Sequence, residues 1–260
     1  MGHLQRYASN RVVCGEGADP DFTGILVSGY LRLQRYGMDG RRQILCLLTP
    51  GDILGGQKSR GPSYSVEAST DALICRFETK NLDRIMAEDA DLRRAVYALH
   101  SGKLEQLRWL TWSLGALSVE ERLCAFLAVA TKYMPYQTLG NGGVLSVDLP
   151  RADIADLLGT SVESISRITN RLDGEGIISI RSARQFEIRD LDRLIVLGCL
   201  QGTFENIHFP RSFVQAEGSP FQPSGVLERM SRPSAPSKKR INVLSGMKDG
   251  ISDQAGSKAY

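Results

Sequence analysis

Histidine is scarce in this 260-residue chain, the cysteines show no pairing pattern, and no apolar run is long enough to span a bilayer. The three histidines, His3, His100 and His208, are far apart. No Ser/His/Asp or Cys/His set, no phosphate-cradling glycine loop and no metal-ligand spacing stands out, so an enzyme or a metal protein is not expected. Five cysteines (Cys14, Cys46, Cys75, Cys124 and Cys199) contain no Cys-x-x-Cys and are odd in number, which argues against a disulfide framework and a thiolate cage. A reducing cytoplasm fits this usage. The N-terminus has no basic-then-apolar signal pattern, and a membrane helix would need about 20 consecutive apolar residues. A soluble cytoplasmic protein with no membrane partner is expected.

Charge of one sign is also missing. Lys and Arg number 32 against 29 for Asp and Glu, a net charge of +3, too little for a polycation that holds nucleic acid by bulk attraction. Residues 201–260 carry eight basic and five acidic side chains, so the whole excess lies there and residues 1–200 are neutral.

What is present is enough apolar residue, 42%, to build real cores. Up to about Phe77 short apolar runs alternate with turn residues, the pattern of an all-β roll or sandwich. Strands are predicted at Gly24–Val27, Tyr30–Leu33, Ile44–Leu48, Ser65–Ser69 and Leu73–Phe77. Asp39-Gly40 suits a tight hairpin, because glycine takes positive φ freely.

The period then changes. From Asp91 to Leu117 there is no proline, and Tyr97, His100, Leu104, Leu107, Thr111 and Leu114 recur at three- and four-residue steps on one stripe. With Arg93, Arg94, Lys103, Glu105 and Arg108 directed outward, that stripe predicts a two-chain coiled coil and hence a homodimer. Ser118-Val119-Glu120-Glu121 has the spacing of a capping box and opens a further helix towards Tyr133. Pro135 ends it, 139–143 reads as a loop, and Val144–Leu149 as a strand. Beyond Leu200 repeated Pro, Gly and Ser predict a disordered tail whose cluster Lys238-Lys239-Arg240 reads as a solvated charge run.

The most specific pattern spans Arg151 to Gly176. A helix from Arg151 to Leu158 stops at Gly159, Thr160-Ser161 form a turn, and a second helix runs from Val162 to about Asp173. Ile154, Leu158, Ile165 and Ile168 are placed to share a core, with small Ala155 at the crossing. This is the spacing of a helix-turn-helix. By geometry Glu163, Ser164, Ser166, Arg167 and Asn170 point away from that core. Arg pairs with guanine and a carboxylate accepts from cytosine, so Glu163, Ser166 and Arg167 are the predicted base readers. Arg151, Ser161, Arg171 and Arg184 are assigned to the DNA backbone. Ile177–Ile188, with Arg181 and Arg184 at its tip, reads as a hairpin wing.

The fold class is therefore α+β: a β-roll over 1–90, a dimerisation helix over 91–117, a winged helix-turn-helix over 118–200 and a tail over 201–260. In that order these parts resemble the Crp/Fnr family of transcription regulators over about residues 10–195. Closely similar stretches are Asp39-Gly40-Arg41-Arg42-Gln43-Ile44, Pro50-Gly51-Asp52-Ile53-Leu54-Gly55, Glu120-Glu121-Arg122-Leu123 and Leu149 to Gly176. Glu163-Ser164-Ile165-Ser166-Arg167 looks like the Glu-x-x-Ser-Arg motif of the Fnr and FixK branches, which implies a palindromic double-stranded DNA site with TTGA-type half-sites and RNA polymerase as a partner.

Two departures bear on control. Cyclic-AMP-binding members have a Glu after the Pro-Gly-Asp turn and an Arg-Ser pair before the next strand, where this chain has Gly56 and Pro62-Ser63. Fnr proteins hold an iron–sulfur cluster with an N-terminal cysteine trio that is absent here, although Cys75 matches the internal cysteine. No cofactor is expected, neither cyclic AMP nor a cluster. The resemblance to cluster-free FixK-like members implies control by protein amount or cysteine oxidation. The alternative is the same fold controlled by a ligand, haem or cluster in the β-roll; His100 reads as an interfacial residue rather than a haem ligand.

Overall fold

A computed structural model describes residues 2–206 apart from Asp19, 56–61 and Asn141. The proline-rich tail beyond 206, its basic cluster, His208 and Gly56 lie outside the described residues.

The N-terminal part folds as two facing antiparallel sheets. Strands β1 (His3–Tyr7), β2 (Val12–Cys14), β3 (Phe22–Ser28), β4 (Leu31–Tyr36), β5 (Arg42–Leu48), β6 (Ile53–Gly55), β7 (Ser65–Ala68) and β8 (Ala72–Glu78) arrange as β1-β8-β3-β6 and β2-β7-β4-β5. Phe22, Leu26, Leu31, Cys46, Leu48, Leu54, Val66 and Ile74 fill the space between them. The five predicted strands are all present. β1, β2 and β6 were not predicted; β1 is largely exposed and polar, so its place comes from pairing with β8 (His3 opposite Arg76) rather than from a buried apolar stripe. Gly40 takes φ +79° in the β4–β5 turn, as Asp39-Gly40 predicts.

Helix α1 (Thr79–Glu88) leads into α2 (Ala90–Ala116), whose start is capped by Asp89 accepting from the Asp91 and Leu92 amides. Leu92 and Val96 pack against Ile25 and Phe77. Lys103 on α2 donates to Asp52 of the Pro-Gly-Asp turn at 2.7 Å and to the Leu47 carbonyl at 3.2 Å, which ties the helix to the roll. Asp52 Oδ2 also accepts from the Thr49 amide at 2.7 Å, so this enclosed pair has hydrogen bonds beyond its own contact.

The predicted capping box at the head of α3 (Val119–Ala130) is formed reciprocally by Ser118 and Glu121. The helix ends at Ala130, short of Tyr133, and its last three residues run into a turn. β9 (Tyr136–Leu139) was not predicted and reaches the predicted loop only at Leu139, and β10 (Gly142–Ser146) starts within that loop and ends before Leu149. The two strands pair with each other, and β10 also pairs with β12, so both belong to one sheet. Then follow α4 (Arg151–Leu157), α5 (Val162–Gly174), β11 (Ile178–Ile180), β12 (Gln185–Ile188) and α6 (Leu191–Leu197), with sheet order β11-β12-β10-β9. Residues 201–206, read from composition as tail, instead form a turn and a short 3-10 helix, Phe204–Asn206. Phe204 joins the C-terminal core, and the Lys132 ammonium lies 4.0 Å from its ring centroid. One aromatic anchor outweighs the polar composition around it.

The C-terminal core is built from α3, α4 and α5, and it extends to Tyr30, Ile44 and Leu47 of the β-roll. Burial, with a contribution from Asp148, pushes the Tyr30 phenol up to about 12. Among the described residues no helix is long and apolar enough to cross a membrane.

Candidate nucleic-acid interface

Helices α4 and α5 meet through Ile154, Ala155, Leu158, Ile165, Ile168 and Leu172, all buried. Ile154, Leu158, Ile165 and Ile168, with Ala155 at the crossing, are the set expected from spacing, and Leu172 adds to it. Gly159 turns the chain between them with φ +60°, and a Cβ there would come within 3.1 Å of Leu114 and 3.3 Å of Arg122. Both the conformation and the space favour glycine. Arg122 of α3 donates to the Leu158 carbonyl at 2.7 Å, so the turn is held from behind as well.

Ser161 caps α5, its hydroxyl accepting from the Ser164 amide at 3.2 Å. The period of the helix then sorts its side chains. Ile165, Ile168, Thr169 and Leu172 are buried; Val162, Glu163, Ser166, Arg167 and Asn170 are exposed, and Ser164 is half-buried. Glu163 sits in the first turn, where a carboxylate is favoured by the helix dipole. Its own backbone amide and the Ser161 hydroxyl hold its carboxyl below the usual range, so at neutral pH it is an acceptor only. Arg167 is exposed and makes no ion pair or hydrogen bond among the described residues. The three predicted base readers therefore share one open face within the first two turns of the helix.

The residues predicted for the DNA backbone are more varied. Ser161 is occupied as the cap. Arg151 is half-buried, lies 5.0 Å from the Phe186 ring centroid and reaches Thr169 at 3.5 Å; burial lowers the affinity of its guanidinium for a proton. Arg184 is exposed at the wing and stands 3.8 Å from Asp148. Arg171 pairs with Glu120 of α3 and lies 3.8 Å from Glu175. A phosphate would have to compete with two carboxylates for it. At the wing tip Arg181 pairs with Glu187 at 3.2 Å.

Along α2, Tyr97 is 65% and Leu104 47% exposed, and His100 and Thr111 are exposed too. Leu107 and Leu114 of the same predicted stripe are half-buried within the chain. Leu107 packs on the β-roll core, and Leu114 approaches Gly159. The stripe is thus shared between two faces, because a straight helix of 3.6 residues per turn drifts across a strict heptad line. Trp112, 48% exposed, was not in the predicted stripe and lies one residue from Thr111 on the open side.

Inside the roll the described residues Cys14, Pro20, Phe22, Leu54, Gly55, Pro62, Tyr64 and Val66 line a cavity of about 30 Å³ between the sheets. Among the described residues no group of three or more His, Cys, Asp or Glu is placed to hold a metal.

Two facing sheets, a long helix and a winged helix-turn-helix with an open recognition face define a DNA-binding regulator. The chain matches the cyclic nucleotide-binding domain family over residues 4–89 and the Crp-like helix-turn-helix domain family over residues 121–197. It is 31% identical over 177 residues to the transcriptional activatory protein AadR of Rhodopseudomonas palustris, covering 67% of this chain and 73% of that protein. It is 30% identical over 181 residues to the nitrogen fixation regulation protein FixK of Bradyrhizobium diazoefficiens, covering 69% and 76%. The solved structure of FixK2 from Bradyrhizobium japonicum superposes with a TM-score of 0.69 at 25% identity, over 76% of this chain and 97% of that one. The chain belongs to the Crp/Fnr family of transcription regulators.

Proposed function

We propose that the chain acts as a homodimer on a palindromic DNA site, with two copies of α5 in successive major grooves about 34 Å apart. The observation that carries this reading is the open face of α5, where Glu163, Ser166 and Arg167 stand together and Arg167 has no protein partner among the described residues. A guanidinium in the groove pairs with guanine O6 and N7, Glu163 accepts from a cytosine amino group, and Ser166 serves either edge. TTGA-type half-sites supply those groups. Arg151, Ser161, Arg171 and Arg184 are assigned to phosphates, with the helix N-terminus adding its own amides.

Dimerisation is assigned to the open side of α2. Tyr97, His100, Leu104 and Thr111 are its core, flanked by Trp112 and by the partly covered Leu107 and Leu114. An exposed apolar stripe on a 27-residue helix favours a second helix over water. No cofactor is assigned. RNA polymerase is the partner of an activator, the role that the name of the relative AadR supports.

A titration of the full chain against a TTGA-type palindrome tests this reading. Arg167→Ala is expected to weaken binding by about 1–3 kcal/mol and to relax the preference at one base pair of each half-site. Equal affinity of the variant and the wild type would overturn the assignment.

A further inference from the structure

The first helix of the motif is held from behind by charge. Asp153 of α4 is 2% exposed, and its two carboxylate oxygens are taken by two different strands of the β-roll. Arg32 on β4 donates Nη1 to Asp153 Oδ2 at 2.8 Å, and Arg42 on β5 donates Nη2 to Oδ1 at 2.7 Å. The Ser69 hydroxyl adds a third bond, to Oδ2. One turn along α4, Asp156 Oδ2 accepts from Arg42 Nε at 2.6 Å, and Gln43 Nε2 donates to the Asp156 carbonyl at 2.7 Å.

Arg32 is itself built in, only 4% exposed. Its remaining donors go to Gln34 at 2.9 Å and to Asn10 and Glu67, each at 2.9 Å. Asn10 adopts φ +64° to offer that oxygen. A buried charged network of this kind adds little to stability over an apolar replacement, because desolvation offsets the attraction. What it supplies is direction. Apolar contacts such as those of Ile44 and Leu47 tolerate sliding, whereas charge-assisted bonds to fixed planar guanidinium groups do not. Asp153 and Asp156 are three residues apart on one face of α4, so the grip opposes both rotation and translation of the helix.

We infer that Asp153, gripped by Arg32 and Arg42, is a positioning residue that fixes the angle between the helix-turn-helix and the β-roll and thereby sets the half-site spacing the dimer accepts. α5 moves with α4 because they share one core, and α2 moves with the β-roll because Lys103 is bonded to Asp52 and to the Leu47 carbonyl. The clasp is the polar link between those two bodies. The inference rests on the DNA reading given above.

The test compares the full-length wild type, Arg42→Met, Asp153→Asn and Arg167→Ala on palindromes whose half-sites are separated by a graded spacer. Kd is measured at a temperature where circular dichroism shows each variant folded. The two clasp variants are expected to lose discrimination between the best spacer and one shifted by a base pair, by about fivefold or more. Their penalty for a base change inside a half-site stays that of the wild type. A role confined to folding would leave the spacer profile intact, and folded clasp variants with the wild-type profile overturn the inference. Arg42 lies at the rim of the network, so Arg42→Met decides the matter if Asp153→Asn does not fold. A wild type indifferent to spacer, half-site sequence and Arg167→Ala overturns the DNA reading itself and the inference with it.

Discussion

α4 and α5 are adjacent and share one core, yet the charges at their starts are treated in opposite ways. On α4, Asp153 and Asp156 are bonded to the β-roll and Arg151 is stacked near Phe186. On α5, Glu163 is held only by its own helix start and Arg167 makes no bond among the described residues. A fold that satisfies the charges of one helix and leaves those in the first two turns of its neighbour open separates scaffold from reader. The same side chain, arginine, is hub of a network at position 32 and an open fork at position 167.

The largest effect that can break this contrast is on stability. Asp153→Ala leaves Arg32 and Arg42 enclosed without their main partner, and breaking a buried pair this way costs about 3–5 kcal/mol. Glu163→Ala, on the open helix, is expected to stay within about 0.5 kcal/mol of the wild type. Denaturant titration of the two variants checks both. Similar losses would mean that the two helices do not differ as described.

Ser161 stands between the two regimes, since it belongs to the turn and caps the reader. Ser161→Ala removes the acceptor for the Ser164 amide and is expected to cost about 1 kcal/mol of stability. Ser161→Asp keeps an acceptor and should recover most of that loss in the same melt, while the added negative charge weakens DNA binding.

The reader was more legible in the sequence than the scaffold. Gly159, Ala155 and the four apolar residues of the helix crossing are local, and the 3.6-residue period assigns the open face without further information. The capping box at Ser118 and Glu121 is likewise a four-residue pattern. The clasp is not local. Arg32 and Asp153 are 121 positions apart, and nothing around Arg32 in β4 distinguishes it from a solvated arginine on a strand. Asp153, between Ala152 and Ile154, carries no pattern of its own in the sequence beyond its place in the first helix. β1 escaped for the same reason, because its partner β8 lies some 70 residues away along the chain. Leu107 and Leu114 carried the right chemistry, and only the packing of α2 on the β-roll and against the Gly159 turn shows that they are partly used within the chain.

Arg171 gives the finest test of the contrast, because it sits on the reader and is paired like the scaffold. Its partners Glu120 and Glu175 lie on exposed or half-exposed surface, and such pairs contribute about 0.2–1 kcal/mol. Arg171→Ala is therefore expected to shift stability by no more than that, and a cycle with Glu120→Ala measures the coupling. DNA binding reads out the other half. If Arg171 leaves Glu120 for a phosphate, the slope of log K against log salt falls by about one when it is removed. An unchanged slope with the wild-type base preference would place Arg171 with the scaffold and narrow the reader to Glu163, Ser166 and Arg167, the exposed residues within the first two turns of the helix.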